Sequence, residues 1–579
     1  MDTYYKKKIA ALLSEHLSLS DNEIIDLIGS PPKKDMGDYA FPCFTLAKVF
    51  KKSPQVIAQD LVSKLPTEPV FQSMEAMGPY INFYLNKSQF IKDVLQKVLT
   101  WTEEDFKSIA GGKTVVIDFS SPNIAKPFSI AHLRSTAIGN ALAHIFDYIG
   151  YRVVRINHLG DWGTSFGKLI VAYKRWGDEK ALSQAPIQYL LDLYVRFHKE
   201  VEEHGELEEE AKTWFKRLED GNDEALVLWN RFKEESLKEF NRMYDVIGVS
   251  FDHYWGESFY QDKIDPVLKE IEDKKLLTES QGATIVDLET CDMPPLLLKK
   301  QDGATLYATR DLAAALYRWD QFHFDEMIYV VGGEQSLHFK QVFKVLEMMG
   351  HEWVEHCEHV GFGLIQFKDG KMSTRKGKII FLEDVITKAK ELALEKIKET
   401  EAEKSDDEAS SDVDMDERAL KIGVSSVIFS DLKNGRLKDV LFDWEEILNP
   451  RGETGIYLQY THARLCGIIR KFETRIGPIE YTERGEMGSV TEEASFDIAK
   501  ELSNFRDQVI YAAKTREPSV IARYLLNLAQ AFSTYYRVYH VINEKDATLS
   551  QERILSVLAV KKVLADGLRL LGIEPMDRM

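Results

Sequence analysis

Cysteine is scarce in this chain. Its four residues, Cys43, Cys291, Cys357 and Cys466, stand far apart and form no C-x-x-C pair. That spacing excludes a disulfide framework and a zinc knuckle, predicts no structural metal, and fits a reducing compartment. Long apolar runs are missing too: none approaches the roughly 18–20 residues that span a bilayer. The first eight residues, Met1 to Lys8, are charged and lead into a short amphipathic pattern with no apolar signal core. These absences predict a soluble, cytoplasmic protein with no membrane partner, expected to act as a monomer. Positive charge is also short, the net charge being −19. Phosphate contacts need Lys and Arg, so this balance counts against non-specific DNA binding. Much of the deficit is local, however. From Glu399 to Glu417 ten acidic residues face only Lys404, which puts −9 in one stretch. A basic face elsewhere stays open.

With 579 residues, 44% of them hydrophobic and 29% charged, the chain is an ordinary globular sequence too long for one core. No internal repeat is visible. Residues 1–95 alternate helical patterns with a strand-like end at Tyr80–Leu85. Lys113–Ser120 is a β-branched run that reads as a buried strand, followed by a helical pattern from His132 to Tyr148 and a strand at Tyr151–Ile156. Strand, helix, strand is the βαβ unit of a parallel sheet. Residues 168–245 read as a helical insertion. Strand-like runs return at Ala283–Leu288, Leu296–Lys300, Met327–Val331 and His359–Ile365, and are expected to complete the sheet. A helical connector spans 386–450, with the acidic run 399–417 expected as a solvated loop. Residues 451–579 are almost wholly helical and predict a bundle.

Two segments carry chemistry. Ser120 to Ser135 sits between a strand and a helix, where an open parallel sheet binds ligands and a helix N-terminus offers N–H groups to phosphates. On physics alone it is an anion site or a strand-to-helix turn with a capping serine. Asp369 to Gly377 holds three cations and two hydroxyls between glycines. It is suited to charge on transferring phosphates, and equally to a solvated basic turn.

The pair resembles the HIGH and KMSKS signatures of class I aminoacyl-tRNA synthetases, in the right order around a helical insertion. SPNIAKPF at 121–128, NHLGDWGTSFG at 157–167, YATRDLAA at 307–314, KMSTRKG at 371–377, GETGIYLQYTHAR at 452–464 and the ending LGIEPMDRM resemble the arginyl-tRNA synthetase family specifically. The resemblance runs from the first domain to the last residue. It implies a Rossmann-type α/β catalytic domain at 111–385, an N-terminal α+β domain that grips the tRNA elbow, and an all-α anticodon-binding bundle. It also implies ATP with Mg²⁺ as a substrate complex, L-arginine and its tRNA as partners, an arginyl-adenylate intermediate, and a need for tRNA in the activation step.

Matching positions imply roles. Ser129, Ala131, His132, Lys371, Met372 and Ser373 would contact ATP, with Ser129, His132, Lys371, Ser373 and Lys376 catalytic. Glu257, Tyr307 and Asp311 would recognise the guanidinium, for which carboxylates in a partly dry pocket are the natural partners. Asn123 and Gln335 would hold the α-amino and carboxylate end, with His158 and His338 as neighbours. Asp311 is also a candidate N-cap. In the first domain Tyr80 would stack on an unpaired base and Asn82 read its edge. In the bundle Tyr457, Tyr460, His462 and Arg464 match the anticodon-binding helix. The sequence departs from the class pattern at Ser129 and Ala131, where H-x-G-H has histidine and glycine, and at Thr374. A Cβ at Ala131 is expected to crowd the adenine, so a tRNA-binding paralogue without activation is the rival to an active enzyme. A synthetase for another amino acid is the other rival, and the paired acids argue against it.

Overall fold

A computed structural model describes residues 2–301, 305–367, 380–401, 412–447, 449–480 and 490–579. β-branched and apolar residues at Thr114–Asp118 form a buried central strand, and the helix Ile130–Tyr148 returns the chain to Arg152–Ile156, paired in parallel with it. The next strand of this sheet, Glu326–Tyr329, lies on the other side of Thr114–Asp118, and Cys357–His359 extends that side. All four strands are parallel. The connections therefore leave the central strand in opposite directions, and a topological switch point opens at its carboxyl end, at Asp118.

Two expectations about this sheet need correction. Ala283–Val286 and Leu296–Lys299 do not join it. With Leu277–Ser280 they make a separate antiparallel sheet. The reason is local: Gln281 and Gly282 both have positive φ (51° and 79°), the two-residue hairpin turn that sends the chain straight back on itself. The run His359–Ile365 also splits. Its start ends the central sheet, while Ile365–Phe367 pairs in parallel with Val440–Phe442. The acidic run 399–417 is likewise not one loop. Leu382–Glu401 and Asp412–Leu432 are helices, and residues 402–411 lie outside the described residues. Asp414 sits in the first turn of the second of these helices, where negative charge is favourable, and Asp416 pairs with Lys390 at 2.7 Å.

The helices Thr164–Trp176 to Asp223–Ile247 form the insertion. The N-terminal unit carries a three-stranded antiparallel sheet with Tyr80–Leu85 in its centre. Its exit helix Lys87–Thr100 runs past residue 95 and packs on the C-terminal bundle, Phe90 against Phe496 at 5.2 Å. That bundle is built from Gly455–Arg475, Glu493–Thr515, Ser519–Val538 and Ala547–Leu570. No helix among the described residues is long and apolar enough to cross a membrane.

Arg134, on the helix Ile130–Tyr148, is 1% exposed and pairs at 2.8 Å with the equally buried Asp431 of Asp412–Leu432. It also donates to the carbonyls of Lys438 and Arg436 at 2.8 and 3.2 Å. Burial raises the Asp431 carboxyl to about 6, although the Arg134 guanidinium pulls it down. Arg134→Met should cost about 3–5 kcal/mol in urea unfolding, because it strands a buried carboxylate. The raised carboxyl favours the fold below its unfolded range and loses that advantage as pH rises through about 6. The loss should thus be smaller near pH 5 than near pH 8.

Candidate active site and nucleic-acid surfaces

The turn beyond Asp118 is strained. Ser120, Ser121 and Ala125 have φ of +72°, +48° and +58°, a region that residues with a Cβ seldom enter. Buried hydrogen bonds hold it there. Ser120 Oγ meets Tyr244 Oη at 2.7 Å, Thr136 Oγ1 donates to Ser120 Oγ at 2.8 Å, and the Ala125 N–H donates to Ser236 Oγ at 2.8 Å. Tyr244 and Ser236 belong to the last helix of the insertion, so the insertion braces the turn. The turn leaves Asn123 exposed, bridged to Gly160, where an added Cβ would lie 2.2 Å from Asn123 Oδ1.

Ser129 is the N-cap of the helix Ile130–Tyr148, and its N–H donates to His132 Nδ1 at 3.1 Å. That bond places the ring proton on Nε2. The ring stacks on Phe128 (centroids 5.4 Å, 8°), and burial pushes its pKa down to about 4, so it is a neutral donor at neutral pH. Ala131 is exposed on the first turn. Lys371, Met372, Ser373 and Lys376 lie outside the described residues. The chain that follows them is fixed against the first motif: the Ile130 N–H donates to Ile380 O at 3.1 Å, the Leu382 N–H to Phe128 O at 3.0 Å, and Ser129 bridges Phe381.

Glu257 and Asp311 bring two carboxyls to the same region. Burial raises Glu257 to about 7; the Arg310 guanidinium lowers it, and Asp311 and Asp161 raise it further. Arg310 Nη1 stands 3.6 Å from Glu257 and its Nε donates to Gln261 at 2.8 Å. Asp311 is not an N-cap. The helix Tyr307–Phe322 starts after Leu306, and Asp311 lies in its second turn, Oδ2 at 2.7 Å from His338 Nε2. One turn earlier Tyr307 is 57% exposed with its ring edge-on to His338 at 5.0 Å, so both sit on one helix face as the four-residue spacing requires. Gln335 is exposed in the short turn Gly333–Gln335, which is tied to Phe362 by the Gly333 N–H at 2.9 Å. His158 lies 3.3 Å from Arg318 Nη2, and Arg318 pairs with Asp118 at 2.8 Å in full burial.

Sequence reasoning missed the residues that hold these groups. Asp161 is fully buried and accepts from Lys233 Nζ (2.6 Å), the Ser258 N–H (2.8 Å) and Ser258 Oγ (2.7 Å), which clamps the backbone beside Glu257. Gly256 is required there, since a Cβ would meet the Asp161 carboxylate at 2.6 Å. The acid was visible within 157–167, but its partners are 72 and 97 residues away.

Of the distant residues, Tyr80 is 38% exposed and edge-on to the exposed Phe44 at 5.4 Å. Asn82 needs correction: it is 1% exposed, with Nδ2 donating to Met77 Sδ at 3.1 Å, because the middle strand turns it inward. In the bundle, Tyr460 and Arg464 are exposed, and the guanidinium lies over both Tyr460 (5.4 Å) and Tyr536 (5.5 Å). Tyr457 is half-buried with Oη at 3.1 Å from Ser533. His462 is a second correction. It is 2% exposed on the inner face of the helix, and Nδ1 donates to Met576 O at 2.8 Å, so it seats the C-terminal tail. Cys466 Sγ, beside it, donates to Asp577 at 3.2 Å.

Comparison with known proteins adds the family. Residues 94–444 match the family described as tRNA synthetases class I (R), catalytic domain. Residues 458–579 match the DALR anticodon binding domain, and 3–85 the arginyl tRNA synthetase N terminal domain. The arginine–tRNA ligase of Clostridium botulinum (strain Loch Maree / Type A3) is 48% identical over 576 residues, 99% of this chain and 100% of that protein. That of Clostridium perfringens (strain 13 / Type A) is 47% identical over the same length, again covering 99% and 100%. The crystal structure of arginyl-tRNA synthetase from Plasmodium falciparum superposes with a TM-score of 0.77 at 26% identity, covering 99% of this chain and 98% of that one. The Thermus thermophilus arginyl-tRNA synthetase shares the fold with a TM-score of 0.78 at 23% identity, covering 100% of both.

Asp161→Ala should lower stability by about 2–4 kcal/mol in denaturant unfolding, since it leaves Lys233 and Ser258 without their shared acceptor. Lys233→Met added to it should recover part of the loss by removing the stranded charge.

Proposed function

The chain belongs to the class I arginyl-tRNA synthetases, and from that premise we infer how its residues divide the work of joining L-arginine to its tRNA. Activation falls to 111–385, elbow contact to 1–95 and anticodon contact to 451–579, with 386–450 as connector. The enzyme works as a cytoplasmic monomer. In the first step an arginine carboxylate oxygen attacks the α-phosphorus of ATP, taken as its Mg²⁺ complex, and pyrophosphate leaves. A ribose hydroxyl at the tRNA 3′ end then attacks the carbonyl of arginyl-adenylate, and AMP leaves.

The observation that carries this reading is the pairing of Ile130 and Ser129 with Ile380 and Phe381, which brings the chain on the far side of the lysine-rich segment against the first-motif helix. Ser129 Oγ–H and the neutral His132 Nε2–H donate to the triphosphate, with no positive charge from either. Lys371 and Lys376 supply the counter-charge as it builds on the phosphates, with the Ser373 hydroxyl as a neutral donor, and Ala131 and Met372 flank the nucleotide. Glu257 and Asp311 take the guanidinium with Tyr307 over it, while Asn123 and Gln335 hold the α-amino and carboxylate end. Tyr80 stacks on a base at the tRNA elbow. Tyr460 and Arg464 offer a stacking platform to the anticodon loop.

Arginine-dependent ATP–pyrophosphate exchange tests the reading. Exchange with arginine and tRNA together supports it; tRNA binding without exchange under any condition assigns the chain to the non-catalytic rival. Ser129→Ala should lower the exchange rate about ten- to a hundredfold, the worth of one hydrogen bond to a charged group. The pH dependence follows from Glu257. With its carboxyl raised to about 7, Glu257 is mostly neutral below that value and charged above it. The KM for arginine should therefore fall about tenfold between roughly pH 6 and pH 8, and Glu257→Gln should flatten that profile.

A further inference from the structure

The loop that joins two helices of the C-terminal bundle, Glu493–Thr515 and Ser519–Val538, is plugged into the catalytic domain. Arg516, held at φ +54°, pairs with Glu326 and, at 3.0 Å, with Glu358, on two adjacent strands of the central sheet. Next to it both carboxylate oxygens of Glu517 accept the Arg436 N–H, at 3.3 and 3.2 Å, and Ser519 Oγ donates to Glu517 at 2.9 Å. Arg436 in turn grips residues 361–363. Its Nη1 donates to Gly361 O at 2.6 Å, and its carbonyl accepts the Gly363 N–H at 2.9 Å. Asp439, three residues on, accepts from the Leu364 N–H at 2.8 Å and from Gln366 Nε2 at 2.6 Å. A Cβ on Gly363 would lie 2.7 Å from Asp439 Oδ1, so the two segments are in closest contact there.

This clasp sits between three parts of the proposed machinery. Phe362 O holds the turn that carries Gln335. The strand Ile365–Phe367 ends four residues before Lys371 in the sequence. The Arg436 carbonyl also receives Arg134, five residues after Ser129. On the other side, the helix that begins at Ser519 ends beside Tyr536, one ring of the exposed Tyr460–Arg464–Tyr536 platform. At 1.5 Å per residue that helix is a rigid strut of roughly 26 Å from clasp to platform.

We propose that Arg436, held by Glu517, is a positioning residue that couples tRNA bound on the C-terminal bundle to the placement of residues 361–367 in the active site. A shift of the strut moves the Glu517 carboxylate, and with it the backbone that sets Gln335 on one side and the strand Ile365–Phe367 on the other. Groups that must hold a near-attack geometry lose rate steeply when their support moves by about 1 Å. This inference rests on the synthetase reading of the site, and its experiment separates the two.

The full-length chain is compared with Glu517→Ala and with Glu517→Gln, which keeps one acceptor oxygen for Arg436. For Glu517→Ala the aminoacylation kcat should fall about tenfold, with the dissociation constant for tRNA within about threefold of the parent. Glu517→Gln should recover most of that kcat. Amide hydrogen exchange supplies a readout independent of activity: tRNA should slow exchange across 361–367 in the parent and not in Glu517→Ala. An unchanged kcat in Glu517→Ala, a fall in kcat matched by an equal fall in tRNA affinity, or no tRNA-dependent protection of 361–367 in the parent overturns the coupling. A parent without arginine-dependent exchange, but with that protection intact, overturns the synthetase reading and leaves the coupling standing.

Discussion

The buried pair Arg134–Asp431 is the contact on which the arrangement of this molecule turns. An ion pair taken fully out of water gains little net stability over apolar packing, but it tolerates no misalignment, since either charge left alone is costly. Arg134 spends its remaining donors on the carbonyls of Lys438 and Arg436. One side chain on the first-motif helix therefore fixes both the connector helix Asp412–Leu432 and the segment that pairs with Ile365–Phe367. The first-motif helix and the strand Ile365–Phe367, more than two hundred residues apart in sequence, are thereby held in one frame.

A second constraint works at the switch point. Three residues with a Cβ take left-handed backbone conformations between Ser120 and Ala125, at a cost of order 1–3 kcal/mol each. The hydrogen bonds from Tyr244, Thr136 and Ser236 offset that cost in a buried setting where leaving them unmade is expensive. The insertion thus has a mechanical part in the site. Its last helix holds the strained turn with Tyr244 and Ser236, and its Lys233 reaches Asp161 beside Glu257.

Electrostatics divides the site into two halves of different character. His132 is kept neutral by burial, so the start of the helix Ile130–Tyr148 offers neutral donors and a helix N-terminus. At the other end Glu257 and Asp311 bring two carboxyls to one region, with Arg310 at 3.6 Å from Glu257. Burial raises the Glu257 carboxyl, and the neighbouring Asp311 and Asp161 raise it further.

The sequence alone determined the βαβ start, the helical insertion, the bundle, and the family to which motif wording points, because periodicity and local wording are properties of contiguous residues. It also placed Tyr307 and Asp311 on one face, since four-residue spacing is a rule of the helix itself. It did not decide which strands share a sheet: Ala283–Val286 and Leu296–Lys299 look like core strands, but they pair with each other and with Leu277–Ser280 in a sheet of their own. Nor did it separate inner from outer positions at Asn82 and His462, where the residue type suits an RNA contact but the strand and helix turn it inward. The supports, Asp161 with Lys233, Arg318 with Asp118, Arg134 with Asp431 and Glu517 with Arg436, join residues far apart in the chain. Such pairs leave no local trace, because a buried charge is tolerated only where the fold delivers its partner. That delivery is decided by tertiary structure.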